Sequence, residues 1–428
     1  MERIKICDGI HLNIIKSDKF NTDYFDFNIL LPLKKETASL AALLPMVLKR
    51  GCEKYPTMAS LNKKLDYLYS TGISSRVIKR GEVQVIGFLC DFLKESLLPE
   101  GEKLIDEVFD TLGSLIFEPA LCGSSFNAEY VKSEKKNLCD EINSLINNKN
   151  AYAIKKCHEA MCPNDDFAIS ELGDIASVEK ITPESLCEFY FELISHAQFE
   201  LFYTGLCDRD KIIGLCQKLF SGVKLDKPYQ LGTKKFISRN STPAELCEDM
   251  EVSQCKLIMG FSTDRTFYDG KYTAFSLFNE LFGGSPTSKL FENVREKLSL
   301  CYFCRSIPEA HKGILTVASG IEARNYDLAV KEILLQLENT KNGIISDEEL
   351  DSAKKSLING YRELYDDGAS LPLWYLSRFI AGNTQSIEEV IEEIPHITKE
   401  EITECARKVN LDTVFFLKGT LTDGGDEN

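Results

Sequence analysis

The chain has 428 residues and a formal net charge of -16, and 43% of its residues are hydrophobic and 27% charged. This length exceeds one ordinary core and predicts two or three globular domains. Nucleic acid and anionic membranes would both repel so negative a chain at long range, so we expect neither as a partner.

The sequence predicts a cytoplasmic protein. The N-terminus has no apolar core long enough for a signal peptide, and the apolar run 39–48 is far shorter than the roughly 20 residues that cross a bilayer. Fifteen cysteines are scattered without framework spacing, which predicts buried, reduced thiols.

The first half of the chain starts with strands and then becomes helical. Runs of β-branched and aromatic residues predict strands, whereas apolar residues at helical spacing predict helices. Strands are predicted at 3–9, 11–17 and 24–33, a hairpin at 72–92 and a further strand at 199–206. Helices are predicted at 37–51 and 58–71, through most of 98–193, and at 208–220.

The second half repeats this order in outline. A polar stretch with two prolines, 224–249, is the best linker candidate. After it, strands are predicted at 255–263 and 413–420, a hairpin at 302–320, and helices at 271–283, 326–340 and 346–365. We therefore predict an α+β fold with two domains, 1–223 and 250–428, each a mixed, mostly antiparallel sheet flanked by helices.

Segment 283–302 carries the most informative pattern. Gly283 and Gly284 form a turn that feeds a helix, and Arg295 lies at the flank of the buried face of that helix. Tyr302 is the first aromatic residue of the following strand. An arginine and a tyrosine so placed can hydrogen-bond the backbone carbonyls of an extended peptide; the alternative is a surface ion-pairing arginine beside a core tyrosine. The predicted buried face consists of Leu290, Phe291, Val294 and Leu298.

This segment resembles the C-terminal half of the pitrilysin/insulinase family of zinc peptidases, in the branch that includes mitochondrial processing peptidase. The order of elements is similar along nearly the full chain. The resemblance implies two homologous clamshell halves that enclose a chamber, with Arg295 and Tyr302 binding the substrate backbone. The matching residues are Gly283, Gly284, Ser288, Lys289, Leu290, Phe291, Arg295, Glu296, Leu300, Cys301 and Tyr302.

In that family a His-x-x-Glu-His helix in the N-terminal domain binds zinc and activates water. Aligned on Gly51, these positions fall at Ala42, Pro45 and Met46, and no His or Glu occurs anywhere in 37–52. The sequence therefore predicts no catalytic residue and no metal ligand in this chain. Pro45 costs about 3 kcal/mol inside a helix, so we expect the helix to bend or restart there.

The family also has a distal pair of glutamates seven residues apart, and Glu134 and Glu141 have that spacing. A single carboxylate is not a zinc site, so we expect both side chains on a solvated helix face.

Residues 157–162, CHEAMC, imitate a metalloprotease helix, with His158 and Cys162 in the ligand positions and Glu159 as a base. The family has a structural helix at this place, and no third ligand is nearby. We therefore expect a structural role.

Cys301 and Cys304 form a Cys-x-x-Cys sequence on a predicted strand. Residues three apart on a regular strand face opposite sides of the sheet, so we expect neither redox chemistry nor zinc binding from them.

These observations favour a non-catalytic, substrate-binding subunit of a heterodimeric zinc metallopeptidase that processes peptides. A homologous catalytic partner with an intact zinc motif would hold the zinc, and this chain, without a cofactor of its own, would contribute Arg295 and Tyr302. The alternative is an inactive peptide-binding or scaffold protein of the same fold, a monomer or homodimer with no peptidase partner. A third hypothesis is an independent hydrolase that uses residues 157–162.

Overall fold

The computed structural model describes residues 1–238, 242–269 and 272–420. The described residues form two compact units. The first unit consists of Met1–Asn143, Ile169–Gly232 and Leu364–Ile380. The second consists of Ser144–Ala168 and the described residues of Thr233–Glu363 and from Ala381 onward. No helix within these residues combines the length and the apolar character needed to cross a bilayer.

The strands, in chain order, are β1 (Glu2–Cys7), β2 (Ile10–Lys16), β3 (Thr22–Pro32), β4 (Gly72–Arg80), β5 (Val83–Leu93), β6 (Leu121–Cys122), β7 (Ser125–Phe126), β8 (Gln198–Gly205), β9 (Ala244–Met250), β10 (Cys255–Ser262), β11 (Cys301–Glu309), β12 (Ile314–Ile321) and β13 (Asn410–Gly419).

The α-helices are α1 (Ala38–Leu48), α2 (Met58–Tyr67), α3 (Leu104–Phe117), α4 (Ala128–Ser144), α5 (Lys149–Met161), α6 (Ile175–Lys180), α7 (Pro183–His196), α8 (Arg209–Leu219), α9 (Tyr272–Asn279), α10 (Tyr326–Lys341), α11 (Asp347–Glu363), α12 (Ser370–Ile380), α13 (Ile387–Glu393) and α14 (Lys399–Arg407). Two segments are π-helical, Glu280–Gly284 and Phe291–Lys297. Short 3-10 turns occur at Glu95–Leu97, Leu145–Asn147, Asp166–Ala168, Ala323–Asn325, Leu364–Asp366 and Ile394–His396.

The first unit contains a six-stranded sheet in the order β1-β2-β8-β3-β5-β4. Strands β2 and β8 are parallel, and all other neighbours in this sheet are antiparallel. Strand β3, with the sequence TDYFDFNILLP, is buried along nearly its whole length. Its apolar run is therefore almost continuous, as expected of a strand covered on both faces.

The second unit contains a five-stranded sheet in the order β11-β12-β10-β13-β9. Strands β13 and β9 are parallel, and the other pairs are antiparallel. This order repeats β4-β5-β3-β8-β2 of the first sheet, with the parallel pair at the same place. Helices pack on both sheets, so the predicted α+β class with two mixed, mostly antiparallel sheets is confirmed.

Helix α1 lies in the main apolar core of the first unit, where it contacts β4, β5 and α7. Gly51, three residues beyond its end, has a φ of +150°. A Cβ atom at Gly51 would lie 2.5 Å from the carbonyl oxygen of Tyr55, so only glycine allows the chain to turn here.

Helix α5 packs on β10, β12 and β13 of the second unit. A Cβ atom at Gly260, in the middle of β10, would lie 2.3 Å from the Sδ atom of Met161. The missing side chain therefore lets the helix approach the sheet closely.

Each compact unit is built from separate stretches of the chain. Helix α5 belongs to the second unit and helix α12 to the first, because each packs on that unit's sheet. Periodicity predicts a helix but not the sheet on which it packs, so the predicted domain limits stay a prediction.

The predicted linker, 224–249, ends in a regular strand. Residues 244–250 form β9, which pairs with β13 at the edge of the second sheet. The sequence AELCEDM is mostly exposed, so it lacks the apolar alternation that would have revealed a strand.

Candidate functional site

Helix α1 occupies the place at which the resemblance puts the zinc-binding helix. Nine of its eleven residues are buried, so it is a core helix on nearly all sides. Ala42 and Pro45 are buried and Met46 is half-buried. A methyl group, a pyrrolidine ring and a thioether do not fit zinc, which takes imidazole, carboxylate or thiolate ligands in such sites.

Pro45 does not interrupt this helix, contrary to our expectation of a restart. Helix α1 runs continuously through it, and the Lys49 N–H donates to the Pro45 carbonyl oxygen at 3.2 Å. The dense apolar packing around the helix compensates for the missing Pro45 N–H.

Glu134 on α4 is buried, with 6% of its surface exposed, so our expectation of a solvated position is wrong for this residue. The Nε atom of Arg50 donates to its Oε1 at 2.5 Å, and Asn137 Nδ2 donates to its Oε2 at 2.9 Å. Arg50 also donates to Ser133 Oγ at 3.1 Å and lies over the ring of Tyr130. Both carboxylate oxygens of Glu134 are therefore committed to neighbouring side chains of the chain itself.

Glu141, the second member of the glutamate pair, is exposed on α4, as expected. The spacing of seven predicts that both glutamates share one side of the helix, but it does not reveal that Arg50 covers only Glu134. The sequence pattern did not reveal Arg50 as the partner of Glu134, because the two residues are 84 positions apart in the chain.

Residues 157–162 do not converge on a common centre. The Nε2 atom of His158 is 2.8 Å from Thr316 Oγ1, and Glu159 pairs with Lys155 and Lys156 on its own helix. Burial raises the pKa of the Cys157 thiol to about 12. Across the part of the chain that the structure describes, no three His, Cys, Asp or Glu side chains are grouped to hold a metal ion.

Arg295 and Tyr302 both lie on the surface of the second unit. Arg295 is in the π-helical segment Phe291–Lys297, its side chain is 42% exposed, and its guanidinium lies 4.6 Å from the centre of the Phe291 ring. Tyr302 on β11 is 57% exposed. Tyr302 is therefore not a core residue, and the alternative interpretation of the pair fails for it.

The connection between these two residues is short and tightly hydrogen-bonded. The N–H of Ser299 donates to the Arg295 carbonyl at 3.0 Å, and the N–H of Leu300 donates to the Val294 carbonyl at 3.0 Å. Ser299 adopts a φ of +50°, which reverses the chain into β11. Leu298 is half exposed, so our prediction that it lies on the buried face of the helix is wrong. The segment before it is π-helical, and its i→i+5 hydrogen bonds shift the positions of the side chains away from α-helical periodicity.

Within the described part of the chain, strand β11 is an edge strand, because β12 is its one neighbour in the second sheet. The β11–β12 register shifts between Cys301 and Phe303, which leaves Tyr302 in a β-bulge. An edge strand presents N–H and C=O groups to which an extended peptide can add. The arrangement therefore offers an open backbone edge with an exposed tyrosine and an exposed arginine at its start.

Other residues of the resemblance have structural roles. Ser288 is fully buried, and Lys289, 5% exposed, donates to Glu349 Oε1 at 2.6 Å. Burial raises the pKa of Glu349, but the hydrogen bonds from Lys289 and Ser346 and the charge of Lys289 together outweigh this, so the pKa lies below its ordinary value. This ion pair, between a buried lysine and a half-buried glutamate, fixes segment 283–302 against α11.

The bulge also corrects our expectation for the Cys-x-x-Cys pair. Cys301 lies opposite Ile321 and Cys304 opposite Ser319. Ile321 and Ser319 are two residues apart on β12 and so face the same side of the sheet. Cys301 and Cys304 therefore share that face, because the extra residue of the bulge reverses the alternation on β11.

Comparison with known proteins places this geometry in a family. Residues 180–357 match the family described as Peptidase M16 inactive domain. Over 412 residues the chain is 35% identical to the "Probable inactive metalloprotease YmfF" of Bacillus subtilis, a match that covers 96% of each chain. The chain belongs to the M16 peptidase family, also called the pitrilysin/insulinase family, which confirms the predicted resemblance. It is a metallopeptidase homologue with no metal-binding cluster in its described residues.

Solved structures share the fold of this chain. A conserved protein from Enterococcus faecalis V583 has a TM-score of 0.88 at 27% identity, and 99% of each chain is covered. A peptidase M16 inactive domain from Pseudomonas fluorescens has a TM-score of 0.81 at 15% identity, again over 99% of each chain, and shows the common fold.

Proposed function

We propose that this chain is the non-catalytic, peptide-binding subunit of a heterodimeric zinc metallopeptidase. The observation that carries the proposal is the contrast between α1, which has no side chain able to bind zinc, and the exposed Arg295–Tyr302 pair beside an open strand edge. A homologous catalytic subunit with an intact His-x-x-Glu-His helix would supply the zinc. Both chains would work in the cytoplasm.

The binding step follows from the chemistry of an edge strand. An extended peptide adds to β11 through main-chain hydrogen bonds, which are independent of its side chains. Arg295 can donate several N–H groups to peptide carbonyl oxygens, and the Tyr302 hydroxyl can donate one more. This chain thus orients the peptide backbone and leaves cleavage to the partner.

The proposed lack of catalysis by this chain is supported by the side chains of both α1 and α4. Position 45, where the family's general base would stand, holds proline, and both ligand positions are apolar. Glu134 is already neutralised by Arg50. Neither water activation nor proton transfer has a candidate group here.

The proposal is tested by purifying the chain with its associated proteins and by assaying peptide cleavage. We expect a co-purifying M16 chain with the intact motif, and we expect Arg295→Ala to lower the activity of the complex by about 100-fold through lost substrate positioning. Arg362→Ala, at an exposed arginine on α11 of the same unit, is the matched control and should leave activity unchanged. Full activity of the partner without this chain would contradict the proposal.

The alternative function is an inactive peptide-binding or scaffold protein without a peptidase partner. The name of the Bacillus subtilis relative, "Probable inactive metalloprotease YmfF", is compatible with both functions. A fluorescent-peptide titration of the isolated chain distinguishes them: micromolar binding without any co-purifying M16 chain would favour the scaffold.

A further inference from the structure

Cys301 and Cys304 form a thiol pair at the start of β11. The register of the sheet places both side chains on one face, opposite Ile321 and Ser319 of β12. Because three residue steps on β11 span two steps on β12, the two positions are separated by about 7 Å along the strand. This separation lies close to the upper limit for a disulfide, so a bond requires a small backbone adjustment in the bulge.

The two thiols lie on the same face of the sheet, on either side of the bulge. The Ser319 hydroxyl, opposite Cys304 on β12, donates to the Phe303 carbonyl oxygen at 2.9 Å. The neighbouring Cys304, with help from Ser319 and the positive charge of Arg295, lowers the pKa of the Cys301 thiol against the effect of burial. The neighbouring Cys301 and burial raise the pKa of the Cys304 thiol well above the usual range.

The difference in burial assigns different roles to the two residues. Cys304 is 4% exposed, and its raised pKa keeps the thiol protonated. Cys301 is half-buried and therefore reachable from solvent. A partly exposed thiolate beside a resolving thiol is the arrangement found in redox-sensitive cysteine pairs.

We propose that Cys301 and Cys304 are a redox modification site, at which a hydroperoxide oxidises Cys301 and Cys304 then closes a reversible disulfide. The Cys301 sulfur attacks the terminal oxygen of the peroxide and breaks the O–O bond, which gives a sulfenic acid and, with hydrogen peroxide, one water. The Cys304 sulfur then attacks the sulfenic sulfur, and its proton leaves with the hydroxyl group as a second water. Two thiols lose two electrons in total, and the peroxide gains them.

The chain offers a clean assay for this reaction. Trypsin cleavage after Lys297 and Arg305 releases the peptide 298–305, LSLCYFCR, in which Cys301 and Cys304 are the sole cysteines. The full-length reduced chain is treated with hydrogen peroxide at neutral pH, blocked with iodoacetamide, digested and analysed by mass spectrometry. We expect an unalkylated peptide about 2 Da lighter than the dithiol form, and its return to the doubly alkylated form when dithiothreitol precedes the block.

Matched variants separate the two roles. Cys304→Ser should leave Cys301 as a sulfenic acid that dimedone traps, whereas Cys301→Ser should abolish the reaction of this peptide with peroxide. Unchanged melting temperatures would show that both serine variants fold. In the wild-type chain we expect Cys301 to be alkylated about tenfold faster than Cys247, which is more exposed and lies on β9.

Two results would overturn the proposal. One is a peptide 298–305 that stays doubly alkylated after peroxide treatment while Cys247 is oxidised. The other is oxidation of Cys301 to sulfenic or sulfinic acid in the wild-type chain without any disulfide, which would show that Cys304 does not resolve it. Neither measurement uses a peptide substrate, so the outcome does not depend on the proposed peptide-binding role.

Discussion

Helix α1 and segment 283–302 belong to matching connections of the two sheets: α1 lies between β3 and β4, and the segment lies after α9 on the way from β10 to β11. They differ in what they expose. Helix α1 has become part of an apolar core, whereas segment 283–302 anchors itself through buried residues and keeps Arg295 and Tyr302 on the surface. The side chains of the first region pack in the core, whereas the exposed pair of the second lies outside it.

The largest expected effect comes from restoring the family motif in α1 by Ala42→His, Pro45→Glu and Met46→His together. These changes place ionisable groups into a packed core, so we expect a loss of about 5 kcal/mol or more in the free energy of unfolding. Urea denaturation measures the loss. Met46→His alone, at a half-buried position, is the control and should cost much less. A triple variant that folds normally and binds one zinc ion would show that α1 is still a metal site.

The second effect concerns the glutamates of α4. Glu134→Gln removes the charge that pairs with Arg50 in a buried setting, so we expect a loss of about 2 kcal/mol in unfolding free energy. Glu141→Gln, at an exposed position on the same helix, should change it by less than about 0.5 kcal/mol. Equal effects in urea denaturation would mean that Arg50 does not select between the two carboxylates.

The third effect is a pH dependence within segment 283–302. In the folded chain, burial raises the pKa of Glu349, but Lys289 and Ser346 donate to its carboxylate and together hold the pKa below the ordinary value of 4.5. A lowered folded pKa contributes stability that is present above the unfolded pKa and is lost as pH falls through the folded pKa. Lys289→Met should therefore be most destabilising near neutral pH and progressively less so below about pH 4.

Lys297→Met is the control for that series. Lys297 is exposed on the same segment and hydrogen-bonds Asn293 rather than a carboxylate. Its stability difference from the wild-type chain should be the same at every pH. A difference for Lys289→Met that stays constant from neutral to acidic pH would show that the Glu349 pair adds no charge-dependent stability.

Much of the fold could be predicted from the sequence, because the apolar strands and amphipathic helices have clear periods. Strand β3 and hairpin β4–β5 follow their patterns closely. Strand β9 does not, since an exposed edge strand has no buried face to impose alternation. The assignment of α5 and α12 to their units also depends on packing between distant segments, which a local pattern does not encode.

The site was predictable only in part. The loss of the zinc ligands is visible at once, because it depends on residue identity alone. The Arg50–Glu134 pair joins residues far apart in sequence, and nothing near either residue signals it. Cys301 and Cys304 share a face of the sheet only because of one bulge. After such a bulge, every side chain of the strand faces the side of the sheet opposite to the one that regular alternation predicts.

The smallest expected change in unfolding free energy is at Arg295 and Tyr302, and it tests most directly whether segment 283–302 differs from α1. Arg295→Ala and Tyr302→Ala remove exposed side chains, so each should change the free energy of unfolding by no more than about 0.5 kcal/mol. Leu290→Ala, at a fully buried position of the same segment, is the contrast and should cost about 3 kcal/mol. If Arg295→Ala were as destabilising as Leu290→Ala, the arginine would be part of the scaffold. A neutral effect in urea denaturation, combined with lost peptide cleavage by the complex, would leave substrate binding as the reason for its place on the surface.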